Sequence, residues 1–210
     1  MGASRLNQLT SGPWSILRIY ALHLSYVGNK ASRLLEVYTF EYVEKDVVDS
    51  VLGSVSRVLG FDSRYAGILT LPEEIFDRAR GQYMAEPATR LVAYRKSPNS
   101  VGLLLADADA YVLGLNFVFG LAIPELEVAS VFLKRLRLWT GRGNYVVRVV
   151  KEVLHELGHV LGLKHCRNRE CVMSFSNSVF DVDRKRYMFC RSCAQTLSKV
   201  GIELPKEYVI

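Results

Sequence analysis

The sequence predicts an α+β fold, and three observations carry that prediction. Short runs rich in β-branched and aromatic residues recur through the first two thirds, and one stretch repeats its apolar residues at helical spacing. All four cysteines and three of the four histidines crowd into the last third. With 210 residues, 50% of them apolar, there is material for one packed core, so residues 1–210 are read as a single domain. No internal repeat or low-complexity tract is visible. The longest apolar runs, Val101 to Leu105 and Leu113 to Ile123, are too short or too broken by Gly and Asn for a membrane helix.

In chain order, Trp14 to Leu22 is β-branched and aromatic enough for a first strand, and Ala31 to Glu44 reads as a second strand or a helix-to-strand piece. Val47, Val48, Val51, Leu52, Val55, Val58 and Leu59 fall on one helical face that stops at Gly60. Tyr65 to Thr70 is short and apolar. Pro72-Glu73-Glu74 reads as a helix start running through Ile75, Phe76, Ala79 and Tyr83 until Pro87 interrupts it. Thr89 to Lys96, Val101 to Leu105 and Asn116 to Leu121 read as strands or as strand and helix fragments. A long helix covers Asn144 to Leu161, and Cys193 to Leu197 opens a final one.

The long helix ends in His155-Glu156-Leu157-Gly158-His159-Val160-Leu161-Gly162-Leu163-Lys164-His165. Residues four apart on a helix lie one above the other, so His155 and His159 present imidazoles that one metal can bridge, with Glu156 about 100° round the helix beside it. Had the helix continued, ten residues at about 1.5 Å each would carry His165 roughly 15 Å away. The chain must turn back, and Gly162 supplies the left-handed conformation that allows it. Three neutral imidazoles leave a fourth tetrahedral position open, the mark of a catalytic zinc. Such a metal acidifies water and polarises a carbonyl, while Glu156 can take the proton and deliver it to a leaving amine. The bland alternative is an amphipathic core helix that happens to carry histidines. A zinc nucleobase deaminase fits worse, because His and Glu are adjacent and no proline precedes either cysteine pair. His23, outside the motif, is read as an ordinary core or surface imidazole.

Cys166 and Cys171, then Cys190 and Cys193 in a C-x-x-C knuckle, have the spacing of a structural zinc held by four thiolates. Two disulfides or a redox dithiol are the competing readings. No secretory signal is visible, since Met1 to Pro13 is polar and the apolar run after it carries Arg18 and no small-residue cleavage site; the expected compartment is the cytoplasm.

The run from His155 through Glu156, His159, Gly162, His165, Cys166 and Cys171 to Met173, followed by Cys190-x-x-Cys193, resembles the archaemetzincins, a branch of the metzincin zinc peptidases. A weaker similarity takes in Ala108 to Ala122, like the family's edge-strand region, and Gly81-Gln82-Tyr83, like its preceding helix. The resemblance implies a metzincin-like mixed twisted sheet with two long helices, one of them the active-site helix. It divides the single catalytic domain into an N-terminal part, 1–162, and a small C-terminal part, 163–210, with the four-cysteine site. It implies two zinc ions per chain, a catalytic one on His155, His159 and His165 and a structural one on Cys166, Cys171, Cys190 and Cys193, with Glu156 as general base. Met173 would form the Met-turn, a thioether floor beneath the ligands that does not ligate. Asn116 to Leu121 is similar to the upper edge strand, so Phe117, Val118, Phe119 and Gly120 are expected to pair with an extended peptide through the main chain. An ordinary buried strand is the competing reading of that segment. Where several metzincin branches carry a tyrosine two residues after the methionine, this chain has Phe175, so no phenol can help there.

The function expected is peptide-bond hydrolysis in peptides or unfolded protein chains. A rival of another class is a zinc-stabilised binding protein with weak or no hydrolysis, against which the intact Glu156 speaks. Net charge is +6 and the isoelectric point about 9.2. Lys164, Arg167 and Arg169 surround the ligands, and Arg184, Lys185 and Arg186 precede the knuckle. A solvated face is the first reading of these cations and an acidic-substrate preference the second; nucleic acid comes last, for want of interleaved aromatics.

Overall fold

The apolar runs assemble into two sheets and five α-helices in a computed structural model that describes residues 33–210. The expected strand Trp14 to Leu22 and His23 lie outside those residues. Strand β1 (Leu34–Phe40) is interior to the larger sheet, paired in parallel with β2 (Asp62–Ile68) on one side and β5 (Ser100–Ala106) on the other. Strand β8 (Val128–Phe132) runs parallel to β5, and β7 (Gly120–Ile123) closes the sheet antiparallel to β8, giving the order β2-β1-β5-β8-β7. Interior parallel strands are covered on both faces, which is why β5, Ser-Val-Gly-Leu-Leu-Leu-Ala, is buried at every position. The period of two sorts its residues. Leu35, Val37, Leu103 and Leu105 join one core, and Tyr38, Phe40, Leu104 and Ala106 join the other.

The first core is capped by two long helices, α1 (Lys45–Leu59) and α3 (Arg142–Val160). Helix α1 buries its valine stripe and ends at Gly60, whose φ of 69° lets its N–H reach the Ser56 carbonyl. Helix α2 (Ala85–Ala93) covers the second core. A three-stranded sheet of β3 (Phe76–Asp77), β4 (Gln82–Met84) and β6 (Ala110–Tyr111) flanks it, and short α4 (Val179–Arg184) and α5 (Arg191–Lys199) complete the C-terminal part.

Three readings of the sequence are corrected. The helix expected from Pro72 to Pro87 is a single 3-10 turn, Glu73–Ile75, followed by the β3-β4 hairpin. In that hairpin Asp77 Oδ1 accepts the N–H groups of Ala79 and Arg80. Pro87 starts a helix instead of breaking one: it sits in the first turn of α2, where its missing N–H would have had no partner anyway. Thr89 to Lys96 accordingly begins in α2, with the Thr89 hydroxyl donating to the Ala85 carbonyl. The edge strand starts later than Asn116 to Leu121 suggested, so of Phe117, Val118, Phe119 and Gly120 only Gly120 is in it. Val118 is bridged to Ala110 and Phe119 is buried in the first core, which takes the preceding residues away from the edge.

No helix among the described residues is long and apolar enough to cross a membrane.

Candidate metal centre

Helix α3 is buried along most of its second half, and its polar side chains are buried with it: Arg148, Lys151, Glu152, His155 and Glu156. Buried polar groups need partners, and the C-terminal part supplies them. Arg148 holds Asp183 at 2.6 Å, and Lys151 donates to the Val182 and Asp183 carbonyls at 2.9 and 3.1 Å. Lys185, read from the sequence as part of a solvated face, is instead fully buried. Its ammonium meets Glu152 at 2.8 Å and lies 3.4 Å from both the Ser174 carbonyl oxygen and His155 Nδ1. The sequence could not reveal this pairing, because the partners are 33 positions apart and only the fold brings them together.

His155 and His159 stand on adjacent turns of α3, as their spacing requires. Past Val160 the chain reverses at Gly162, φ 89°, with the Leu163 N–H donating to the Gly158 carbonyl, and returns His165 to the other two. The three rings lie 4.7 to 5.3 Å apart between centroids, and each offers a nitrogen within 4.8 Å of the others. His155 Nδ1–H donates to the Val172 carbonyl and His159 Nδ1–H to the Leu163 carbonyl, both at 2.8 Å. Those bonds fix the tautomers and leave two Nε2 lone pairs facing each other across 3.1 Å. Two such lone pairs repel unless a cation lies between them, and two nitrogens on one tetrahedral zinc would stand about 3.3 Å apart. Burial, then the charge of Lys185, pushes His155 well below the usual imidazole range, and burial lowers His159 and His165 as well. All three are therefore neutral, as ligands must be.

Glu156 sits beside the triad, buried against the edge strand. A Cβ on Gly120 would fall 2.5 Å from Glu156 Oε1, so the Glu156 carboxyl occupies the space a side chain at 120 would take. Burial, then neighbouring Glu152, pushes the Glu156 carboxyl well above the usual range, with Lys185 opposing; a cation on the imidazoles would act with Lys185. Met173 lies beneath. It is fully buried, and its thioether packs where a Cβ on Gly158 would otherwise be, 2.3 Å from Sδ. Phe175 is more than half exposed and sets its ring edge-on to His165 at 5.1 Å.

The four cysteines form a second cluster, all sulfurs within 4.8 Å. Cys166 and Cys190 are 3.6 Å apart and Cys171 and Cys193 are 3.8 Å apart, and none is in a disulfide. A disulfide needs about 2.05 Å, whereas sulfurs at 2.3 Å from one tetrahedral zinc stand about 3.8 Å apart. Backbone N–H groups of Asn168 and Cys190 point at the sulfurs of Cys166 and Cys171. The Cys171 thiol is pulled below its ordinary value by its hydrogen bond with Cys193 and by the backbone amides of Cys190 and Met173. The donor set and spacing fit a structural zinc.

Glu152 is the neighbour of the site that the sequence did not single out, while Gly120 and Lys185 were read for other roles, main-chain pairing and a solvated face. The signal for Glu152 was its place one turn before Glu156 on the same face of the helix.

Residues 31–199 match Peptidase family M54. The chain is 39% identical over 175 residues to an archaemetzincin from Saccharolobus solfataricus, covering 79% of this chain and 93% of that one. It is 48% identical over 135 residues to an archaemetzincin from Aeropyrum pernix, covering 62% and 73%. The crystal structure of an archaemetzincin from Methanopyrus kandleri superposes with a TM-score of 0.75 at 38% identity, covering 82% of this chain and 97% of that one.

Proposed function

The chain belongs to peptidase family M54 and is a zinc-dependent peptidase, and on that premise we propose that His155, His159 and His165 hold the catalytic zinc and that Glu156 is the general base. The observation that carries the assignment is the convergence of three neutral imidazoles within 4.8 Å, with a buried carboxyl beside them. When bound, the zinc supplies Lewis acidity, lowering the pKa of water and polarising the scissile carbonyl. Val172 and Leu163 aim the rings of His155 and His159 through their carbonyls. Glu156 takes a proton at its carboxyl and returns it to the leaving amine, and the absence of a side chain on Gly120 keeps the carboxyl in place for both transfers. Strand β7 is the sheet edge beside Glu156, so a peptide pairing with its main chain would lie across the base. Gly120 is in that strand, and Phe117, Val118 and Phe119 lead into it.

A second, structural zinc on Cys166, Cys171, Cys190 and Cys193 is supported by the sulfur spacing. In this reading 1–210 act as one catalytic domain in the cytoplasm on peptides and unfolded chains, a compartment supported by four thiols placed for metal instead of disulfides.

The test is zinc content with peptide cleavage in wild type and Glu156→Gln. Two zincs per chain are expected in both, with cleavage lost by about 10²- to 10⁴-fold in the variant. Activity within threefold of wild type would remove Glu156 from the mechanism.

A further inference from the structure

On the flank where Phe175 packs against His165 lies a cleft of about 190 Å³, lined by Arg169, Ser174, Phe175, Asn177, Asp181 and Arg184. We propose that this cleft is a carboxylate subsite in which Arg169 and Arg184 receive an acidic side chain of the bound peptide. The proposal rests on the peptidase reading and names a substrate class for the same site.

Position is the first argument. The cleft shares Phe175 with the histidine cluster, and Ser174 and Phe175 directly follow Met173 beneath the ligands, so a peptide crossing the triad can reach it with a single side chain. Its volume is below the roughly 300–1,000 Å³ of pockets for drug-sized molecules and suits one side chain.

Charge is the second argument. Nearby arginines are already engaged, Arg186 with Glu170 at 3.2 Å and Arg148 with Asp183 at 2.6 Å. Arg169 makes no ion pair among the described residues, and Arg184 reaches Asp181 Oδ1 only at 3.7 Å. The other Asp181 oxygen is occupied within its own turn, accepting from the Ser178 hydroxyl at 2.8 Å and the Asn177 N–H at 3.2 Å. Two guanidiniums against one carboxylate leave the cleft positive. A guanidinium fork is matched to a carboxylate, which it binds through two parallel N–H···O bonds. Because both arginines are exposed, the gain is set by a surface ion pair, up to about fivefold in binding.

The test uses peptides that differ only in Glu or Gln at one position, scanned on both sides of the scissile bond. Each is prepared with a free or an amidated C-terminus, to separate a side-chain carboxylate from the chain terminus. Both kcat/KM with the wild-type holoenzyme and Kd with zinc-loaded Glu156→Gln are measured. The expected result is a Glu over Gln ratio of about five at one or two adjacent positions on one side, insensitive to amidation and shrinking with salt. Arg169→Ala/Arg184→Ala should bring the ratio to about one and leave the Gln peptide unchanged. A wild-type ratio near one, a ratio that survives in the double variant, or a preference that vanishes on amidation overturns the side-chain subsite. Failure of the peptidase reading would look different: no peptide cleaved by wild type, with the subsite still judged by the Kd ratio.

Discussion

Gly120→Ala tests the site through a single methyl group. The added Cβ would lie 2.5 Å from Oε1, 2.6 Å from Cγ and 2.7 Å from Cδ of Glu156. Carbon contacts settle at about 3.5–4.0 Å, so the carboxyl must retreat by roughly 1 Å. The backbone does not object, because Gly120 is not among the glycines of positive φ. A displacement of that size at a reacting group costs about 10²-fold, within the 10²–10⁴-fold that a general base contributes, or about 2.7 kcal/mol of transition-state stabilisation. The assay is kcat/KM on one good peptide, with zinc content and thermal unfolding as controls. Expected is a fall of about 100-fold with both zincs and the melting temperature retained. In a Glu156→Gln background the same substitution should cost almost nothing further, since no base remains to be misplaced. Activity within threefold of wild type would refute the steric argument, and loss of zinc would mean that Gly120 shapes the whole site instead of the base.

Cys193→Ser should lower zinc content by about one ion per chain and destabilise the protein, because structural zinc couples its binding to folding; unchanged metal content by elemental analysis would remove the four-thiolate assignment. Lys185→Met strands the carboxylate of Glu152 in the interior and should cost about 3–5 kcal/mol in denaturant unfolding, most of it recovered in Lys185→Met/Glu152→Leu. A cost under 1 kcal/mol in the single variant would mean that the pair is not buried as described. Acid stability has its own reporter in Glu36. Burial alone would raise this carboxyl, but hydrogen bonds from Arg64, Ser97 and Ser100 outweigh it and hold its pKa at about 2. Its stabilisation is therefore complete above the ordinary carboxyl range and lost as pH falls towards 2. Between pH 6 and 3 wild type should lose roughly 2 kcal/mol more than Glu36→Gln, and equal losses would contradict the assignment.

The helix that carries the site was legible because its signals are local. His155 and His159 are one turn apart, the valines of α1 repeat at helical spacing, and Gly60 and Gly162 mark reversals by their own chemistry. Misreadings fell where a residue's role depends on something distant. Pro87 is a helix breaker in a helix interior and a helix starter in a first turn, and only the β3-β4 hairpin ahead of it decides which. Phe117 and Phe119 look like strand residues, yet Arg135 covers Phe117 at 4.3 Å from its ring and Phe119 enters the core, so the free edge begins only at Gly120. Lys185 sits between two arginines in the sequence and reads as surface, while its partner Glu152 belongs to a different element. The steric fit between Gly120 and Glu156 has no sequence signal at all, because glycine reports an absence of side chain and not what fills the space.

Of the three proposed ligands, the two on a helix are rigid by construction, but the third, His165, is on a returning loop and needs other support. That support comes from the C-terminal part. The Cys166 N–H donates to the Met173 carbonyl at 2.8 Å, so the residue next to His165 is tied to the turn beneath the ligands. Val172, which aims His155, donates its own N–H to the Met188 carbonyl at 2.8 Å, two residues before Cys190. Zinc on the four thiolates would join the loop carrying His165 to α5 through Cys190 and Cys193. Lys185 ties the same region back to α3 at Glu152. The segment from Leu163 to Ser174 is thus held to the helix by the His159–Leu163, His155–Val172 and Gly158–Leu163 hydrogen bonds, and to the C-terminal part by its cysteines. A ligand held this way would lose little freedom on taking a metal, so under the proposed assignment the four-cysteine site would act on catalysis by limiting where His165 can be.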